Sequence, residues 1–258
     1  MKGTSYTARP VDENGFVNYS AEDSATWATL FERQQPLARA HAATPYVDGM
    51  ETLGLSHIGP AQIPEVNTVL LKHTGWRLEP VEALINFNRF FGLLAERKFP
   101  AATFMRRPDE LDYLPEPDLF HEVMGHCPML CNPTFASFTE WVGKTGVKCN
   151  HAQQVALARL YWFTVEFGLV MEGEALKIFG GGILSSPKEI LHSLDKTIVE
   201  HRTFDVEQIL RTKYHINEPQ PIYYVMTSAQ DLLDIQTLPI LKLIDEAIED
   251  LNKEKELS

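Results

Sequence analysis

Apolar residues recur at helical spacing along most of the chain. Trp27, Leu30 and Phe31, with Leu37 beyond, predict a helix over 23–43 that is bent or ended near Pro36. A short helix follows over 47–53, and Pro64 opens another through Val66, Val69, Leu70 and Leu71, closed by Gly75. Residues 77–99 read as a helical entry, a break and a second helix over 89–97; residues 101–106 read as a short strand. Asp118 is a good N-cap for a helix through His126, stopped by Pro128. Further helices are predicted over 135–142 and 153–171, with a flexible Phe179-Gly-Gly-Gly182 loop after them. Beyond Pro187 come an amphipathic helix (Ile190, Leu191, Leu194, Ile198), strand-like pieces at 208–214 and 222–225, and a last helix over 240–251. The pattern predicts a mainly α fold with a few short β-strands, a basket of helices and loops. Residues 1–20, polar and broken by Pro10, Asn14 and Gly15, read as a flexible or surface-draped arm, and residues 21–258 as a single domain.

Composition narrows the function classes. A net charge of −12 argues against nucleic acid and anionic membranes, which call for basic patches. No apolar run approaches the ~20 residues that span a bilayer, and the N-terminal stretch lacks the apolar core of a signal peptide. Cys127, Cys131 and Cys149 cannot all pair, so they read as free thiols in a cytoplasmic protein. The short C-terminal helix has no sustained heptad repeat, which predicts a monomer.

The chemistry concentrates in PEPDLFHEVMGHCPML, residues 115–130. His121 and His126 are five apart, so on a regular α-helix they point about 140° away from each other. Gly125, the residue by which the spacing exceeds His-Glu-x-x-His, permits a bulge or a loosened turn that could bring them together. Two histidines on a helix are more often structural than metal-bound. A second stretch, LARLYWFTVEFGLVM, places Glu166 among Trp162, Phe163, Leu169 and Val170. A carboxylate in that setting needs a partner: Arg106, Arg107 or Arg159 in an ion pair, or a metal shared with His121 and His126. Two histidines and a carboxylate suit non-haem Fe(II) oxygen chemistry, although a zinc hydrolase uses the same ligands. A non-catalytic protein with an inert metal is the third reading. A thiolate site at Cys127 and Cys131 is weaker, lacking a further cysteine pair.

YLPEPDLFHEVMGHCPML and LYWFTVEFG resemble the iron and pterin motifs of the aromatic amino acid hydroxylases. RLEPVEALINFNRFFGLLAERKF, GGGILSSPKE and EPQPIYYV extend the resemblance over residues 63–224, in the right order. It implies a catalytic domain with Fe(II) on His121, His126 and Glu166, and a tetrahydropterin, tetrahydrobiopterin or another, as two-electron donor to O2. It implies pterin contacts at Phe90, Leu84, Ile85, Ala158 and, through water, Glu122, whose plainer reading is an exposed surface glutamate. It puts Arg106 on the carboxylate of the amino acid, and Trp162, Phe167 and Ser185 around the rest of it, with Glu122 and Trp162 counted as catalytic. Trp162 matches the phenylalanine and tyrosine enzymes, and Ile216 stands where tyrosine enzymes carry aspartate. Leu114 replaces the threonine, and Pro100 the histidine, of animal members. The implied reaction is 4-hydroxylation of L-phenylalanine to L-tyrosine, with tryptophan or tyrosine hydroxylation as the alternative within the family.

Overall fold

The computed structural model describes residues 6–256, apart from Ala83, Tyr113, Pro115 and Asn217, with side chains described only as far as Lys253. The first five residues of the predicted arm and the proline at 115 lie outside the described residues. Helix α1 (Ala21–His41) starts at a capping box: Ser20 Oγ accepts from Asp23 N at 3.1 Å, and the Asp23 carboxylate accepts from Ser20 N at 2.9 Å. It continues through Pro36 and does not end there. Pro36 and Glu32 both lie on the exposed face, so the carbonyl that proline leaves without its donor faces water. Residues 6–20 are tied to the domain by the Arg9–Asp23 ion pair (3.0 Å), by Thr103 Oγ1 donating to Arg9 O (2.8 Å), and by Tyr6 stacked on Phe104.

Helices α2 (Thr44–Leu53) and α3 (Ile63–His73) follow, the second ending at Gly75 with φ +75°. The helical entry expected at residue 77 is instead strand β1 (Arg77–Val81). Pro80 holds Glu79 extended, and the Asn67 side chain grips Leu78 by both backbone groups, accepting from its N at 2.6 Å and donating to its O at 3.1 Å. Strand β1 pairs in parallel with β2 (Lys98–Ala102), and α4 (Phe87–Ala95), capped by Asn86, is the crossover between them. Strand β2 stops at Ala102, not at Arg106, because its partner ends at Val81 opposite it.

The segment His121–His126 runs as a π-helix into α5 (Cys127–Leu130). Pro128 therefore sits in the first turn of a continuing helix, where its missing N–H is no loss, and does not stop it. Helix α6 (Pro133–Gly146) is longer than predicted at both ends. Helix α7 (His151–Tyr161) passes into a second π-segment, Trp162–Glu166, and ends there. Residues 169–171, expected to be helical, lie in strand β3 (Leu169–Glu172). Gly168 explains the break: a methyl there would come within 2.2 Å of the Phe179 ring, so the chain must turn at a glycine. Strand β3 pairs antiparallel with β4 (Ala175–Ile178) through a turn at Gly173.

The loop expected at the three glycines is a one-turn helix, α8 (Gly181–Leu184), followed by α9 (Pro187–Leu194) and β5 (Glu200–Thr203). Residues 206–211 form α10 (Val206–Arg211), not a strand, because Asp205 accepts from Gln208 N at 3.0 Å and caps a helix. Strand β6 (Ile222–Met226) closes a sheet of order β4-β3-β6-β5, and α11 (Asp231–Ile235) and α12 (Ile240–Glu256) complete the chain. The mainly α architecture with short strands is as expected. Trp27, Phe91, Phe120, Phe163, Tyr223 and Tyr224 are among the buried rings of one core that surrounds both π-segments. Among the described residues no helix is long and apolar enough to cross a membrane.

Helices α4 and α6 pack with almost no clearance. A methyl on Gly143 would lie 2.3 Å from Ala95 N and 2.5 Å from the Leu94 carbonyl carbon. Gly143→Ala is therefore expected to cost about 1–3 kcal/mol through overpacking. Gly92→Ala on α4, with no atom within 4 Å of the added methyl, is expected to be neutral or stabilising by up to ~1 kcal/mol. Denaturant midpoints of the two variants check this, and equal midpoints would contradict it.

Candidate metal and cofactor site

The two π-segments carry the candidate metal ligands. A π-turn closes on residue i+5, as seen where Phe167 N donates to Trp162 O at 2.8 Å. Widening the turn between His121 and His126 brings both rings to one face, as the glycine at 125 foreshadowed. The His121 and His126 Nε2 atoms stand 3.0 Å apart, and Glu166 Oε2 lies 3.7 Å from the first and 3.4 Å from the second. The three ligating atoms all fall within 4.8 Å of one another, and no fourth His, Cys, Asp or Glu joins them among the described residues.

Gly125 serves a second purpose. A methyl on it would meet Gly181 O at 2.6 Å, and one on Gly181 would meet the His126 ring at 2.4 Å. The glycines of α8 thus let its backbone lie directly on the ligand helix. That contact delivers Ser185, whose Oγ sits 2.9 Å from His121 Nδ1 and 3.3 Å from Gly182 O. A serine that donates to the carbonyl accepts from Nδ1–H, which leaves the His121 Nε2 lone pair directed at His126 and Glu166. Burial brings the His121 pKa down to about 4, against the opposing pull of Glu166, so the ring is neutral near pH 7. Burial pushes Glu166 up, but His126, His121 and the Tyr161 hydroxyl outweigh it, and the carboxylate stays ionised. Tyr161 Oη is buried near that carboxylate without a hydrogen bond of good geometry. Two imidazole nitrogens thus face each other beside an anionic carboxylate. This donor set fits iron(II), or zinc, without rearrangement of residue types. Arg159, one of the ion-pair partners weighed for Glu166, instead donates to Leu210 O.

Asp118 and Arg106 form a unit that no periodicity announced. Asp118 is fully buried and Arg106 nearly so; Arg106 Nε and Nη2 each donate to the carboxylate at 2.9 Å, and Arg106 N adds a third bond at 3.0 Å. His121 N donates to Asp118 Oδ1 at 3.0 Å, so the same carboxylate caps the ligand helix. Burial raises the Asp118 pKa, but the Arg106 charge and these bonds hold it below the usual range. A purely substrate-facing Arg106 is too simple: two of its three nitrogens are committed to Asp118, leaving Nη1.

Glu122 is buried, which corrects its reading as a surface residue. Burial, with Glu166 and Asp118 nearby, pushes its pKa well above the ordinary value. Around it, Phe90 stands edge-on to Tyr161 (5.1 Å, 88°), half-buried, as is Ala158 on α7. Ile85 is half-buried and Leu84 is 62% exposed. Trp162 stacks between Phe167 (4.6 Å) and Tyr214 (4.4 Å), and its Nε1 donates to Gln220 Oε1 at 3.2 Å. Ile216 is 65% exposed and makes no part of that stack. Leu114 packs beside Ala102 and Phe104. The three cysteines are unbonded, and burial raises the thiol pKa of each.

The profile of a family described as biopterin-dependent aromatic amino acid hydroxylase matches residues 4–237. The phenylalanine-4-hydroxylase of Vibrio cholerae is 48% identical over 247 residues, 96% of this chain and 86% of that one. The apo structure of the cold-active phenylalanine hydroxylase from Colwellia psychrerythraea superposes with a TM-score of 0.92 at 45% identity, covering 95% of each chain. The Chromobacterium violaceum phenylalanine hydroxylase with bound iron(III) and 7,8-dihydrobiopterin gives 0.84 at 40% identity, covering 92% of this chain and 89% of that one. This chain belongs to the biopterin-dependent aromatic amino acid hydroxylases.

Proposed function

We propose that the protein is a phenylalanine 4-monooxygenase, converting L-phenylalanine to L-tyrosine with O2 and a tetrahydropterin such as tetrahydrobiopterin. The observation that carries this is the convergence of His121, His126 and Glu166 in a chain of this family. Those three residues would hold Fe(II). The metal and the two-electron pterin together supply the activation of O2 that places one oxygen atom on the ring.

The protein's own residues position and shield. Ser185 holds His121 in the ligating tautomer, and Asp118 fixes both the start of the ligand helix and the plane of the Arg106 guanidinium. Arg106 Nη1 would take the amino acid carboxylate in a charge-assisted bond. Phe167, and the edge of Trp162 that its two stacked neighbours leave open, would line the place of the substrate ring, where a bare phenyl needs no hydrogen-bond partner and a phenol does. Phe90 would stack on the pterin, with Leu84, Ile85 and Ala158 beside it. Glu122, whose pKa burial raises, would meet the cofactor side through a hydrogen bond. The same reading makes residues 21–258 the catalytic domain and has the enzyme acting as a monomer in the cytoplasm, with no nucleic acid or membrane partner; the net charge of −12 and the three free thiols support it.

An aerobic assay with Fe(II), a tetrahydropterin and each of phenylalanine, tyrosine and tryptophan tests the substrate. Tyrosine from phenylalanine should dominate, and 5-hydroxytryptophan or dihydroxyphenylalanine as the main product would overturn the choice. Glu166→Ala and His121→Ala are expected to lose stoichiometric iron and all turnover while keeping a native circular dichroism spectrum. Turnover retained by either would remove it from the ligand set. Arg106→Ala leaves the buried Asp118 carboxylate with two backbone N–H donors and no counter-charge, so it should lose about 3–5 kcal/mol of stability as well as amino acid affinity. An unchanged denaturation midpoint would show that the pair does not hold the site together.

A further inference from the structure

Gln220 uses its entire side chain. It is 2% exposed, and its Oε1 accepts from Trp162 Nε1 at 3.2 Å and from His215 N at 3.2 Å. Its Nε2 donates to His215 O and to Glu218 O, the latter at 3.2 Å. Its backbone is held as well: the carbonyl accepts from His192 Nε2 at 3.0 Å, and the N–H reaches Glu189 Oε1 at 3.4 Å. Glu189, itself buried, takes the Tyr223 hydroxyl. One residue thus ties His215, Glu218 and the α9 residues Glu189 and His192 to an indole 58 residues away in sequence.

The Trp162 ring lies between Phe167 at 26° and Tyr214 at 19°. Stacking of this kind sets the plane of a ring and leaves it free to slide and turn within that plane. The edge bond from Nε1 to Gln220 removes that freedom. We infer that Gln220 is a positioning residue for the reaction: it locks the rotation of Trp162 and so fixes the wall against which the substrate ring is placed. The inference rests on the reading above that Trp162 lines the amino acid pocket. Among the described residues Gln220 makes no hydrogen bond to His121, His126 or Glu166, so its effect should fall on substrate placement and not on metal binding.

The test compares the holoenzyme with Gln220→Leu, alone and combined with Trp162→Phe, which keeps a ring and removes the donor. Hydrogen exchange of the 15N-labelled indoles, with Trp162 assigned by its absence in Trp162→Phe, reads the bond without activity. Gln220→Leu should speed exchange of the Trp162 indole proton and raise KM for phenylalanine about tenfold, the worth of one buried donor left unpaired. It should also lower the yield of tyrosine per tetrahydropterin consumed, with kcat within about twofold and iron content unchanged. In the Trp162→Phe background the same change should raise KM by less than about twofold, since coupled residues are not additive. Unchanged indole exchange would overturn the inference and leave the pocket reading intact. Faster exchange with unchanged KM would remove Trp162 from the pocket and the inference with it. Fully additive effects on KM would reduce Gln220 to a loop-stabilising residue. If Gln220→Leu does not fold, Gln220→Asn, whose amide is one methylene short of the indole, carries the same test.

Discussion

The site depends on the width of one helical turn. Histidines five apart diverge on an α-helix and converge on a π-turn, and the chain adopts the wider turn at His121–His126 and again at Trp162–Glu166. Each widening displaces a backbone hydrogen bond from its regular partner and is tolerated where surrounding contacts dictate it. Here those contacts come from α8, whose glycine backbone lies on both segments: Gly181 on the His126 ring, Gly180 and Gly182 on the Glu166 carbonyl. The π-turns, the glycine helix and Ser185 behind His121 form one construction.

A second constraint, electrostatic, sits beside the first. Asp118 and Glu166 are held below the ordinary carboxylate range while Glu122, itself buried, is pushed well above it. The difference lies in neighbours: Arg106 for Asp118, two imidazoles for Glu166, and only other acids for Glu122. Three carboxyl groups on neighbouring segments thereby acquire different proton affinities from their surroundings alone.

Much of this was legible in the sequence, for reasons that can be named. Gly125 between two histidines signalled a distorted turn, and Glu166 among aromatics signalled a carboxylate in need of a partner. The helix start at Asp118 followed from its capping chemistry. What stayed hidden depended on contacts between distant segments. Strand β1 exists because Asn67 clamps Leu78, although Pro80 offered a local hint. The burial of Glu122 could not be told from its helical position, since a lone glutamate on a helix carries no sign of what packs over it. The bidentate Arg106–Asp118 pair joins residues whose spacing has no meaning within any one element. The break at Gly168 is set by the Phe179 ring, eleven residues further on.

The placement of the three donors has a thermodynamic side. His121 and His126 belong to one helix and Glu166 to another, and 39 residues separate the last histidine from the glutamate. An ion bound by all three is a reversible cross-link across that loop. Because the unfolded chain cannot present the three groups together, the ion stabilises the folded state by mass action, ~2.7 kcal/mol when free metal stands at a hundred times its dissociation constant. That is enough to alter how often the chain opens to proteases. The lifetime of the protein, and not its turnover alone, would then follow the supply of metal.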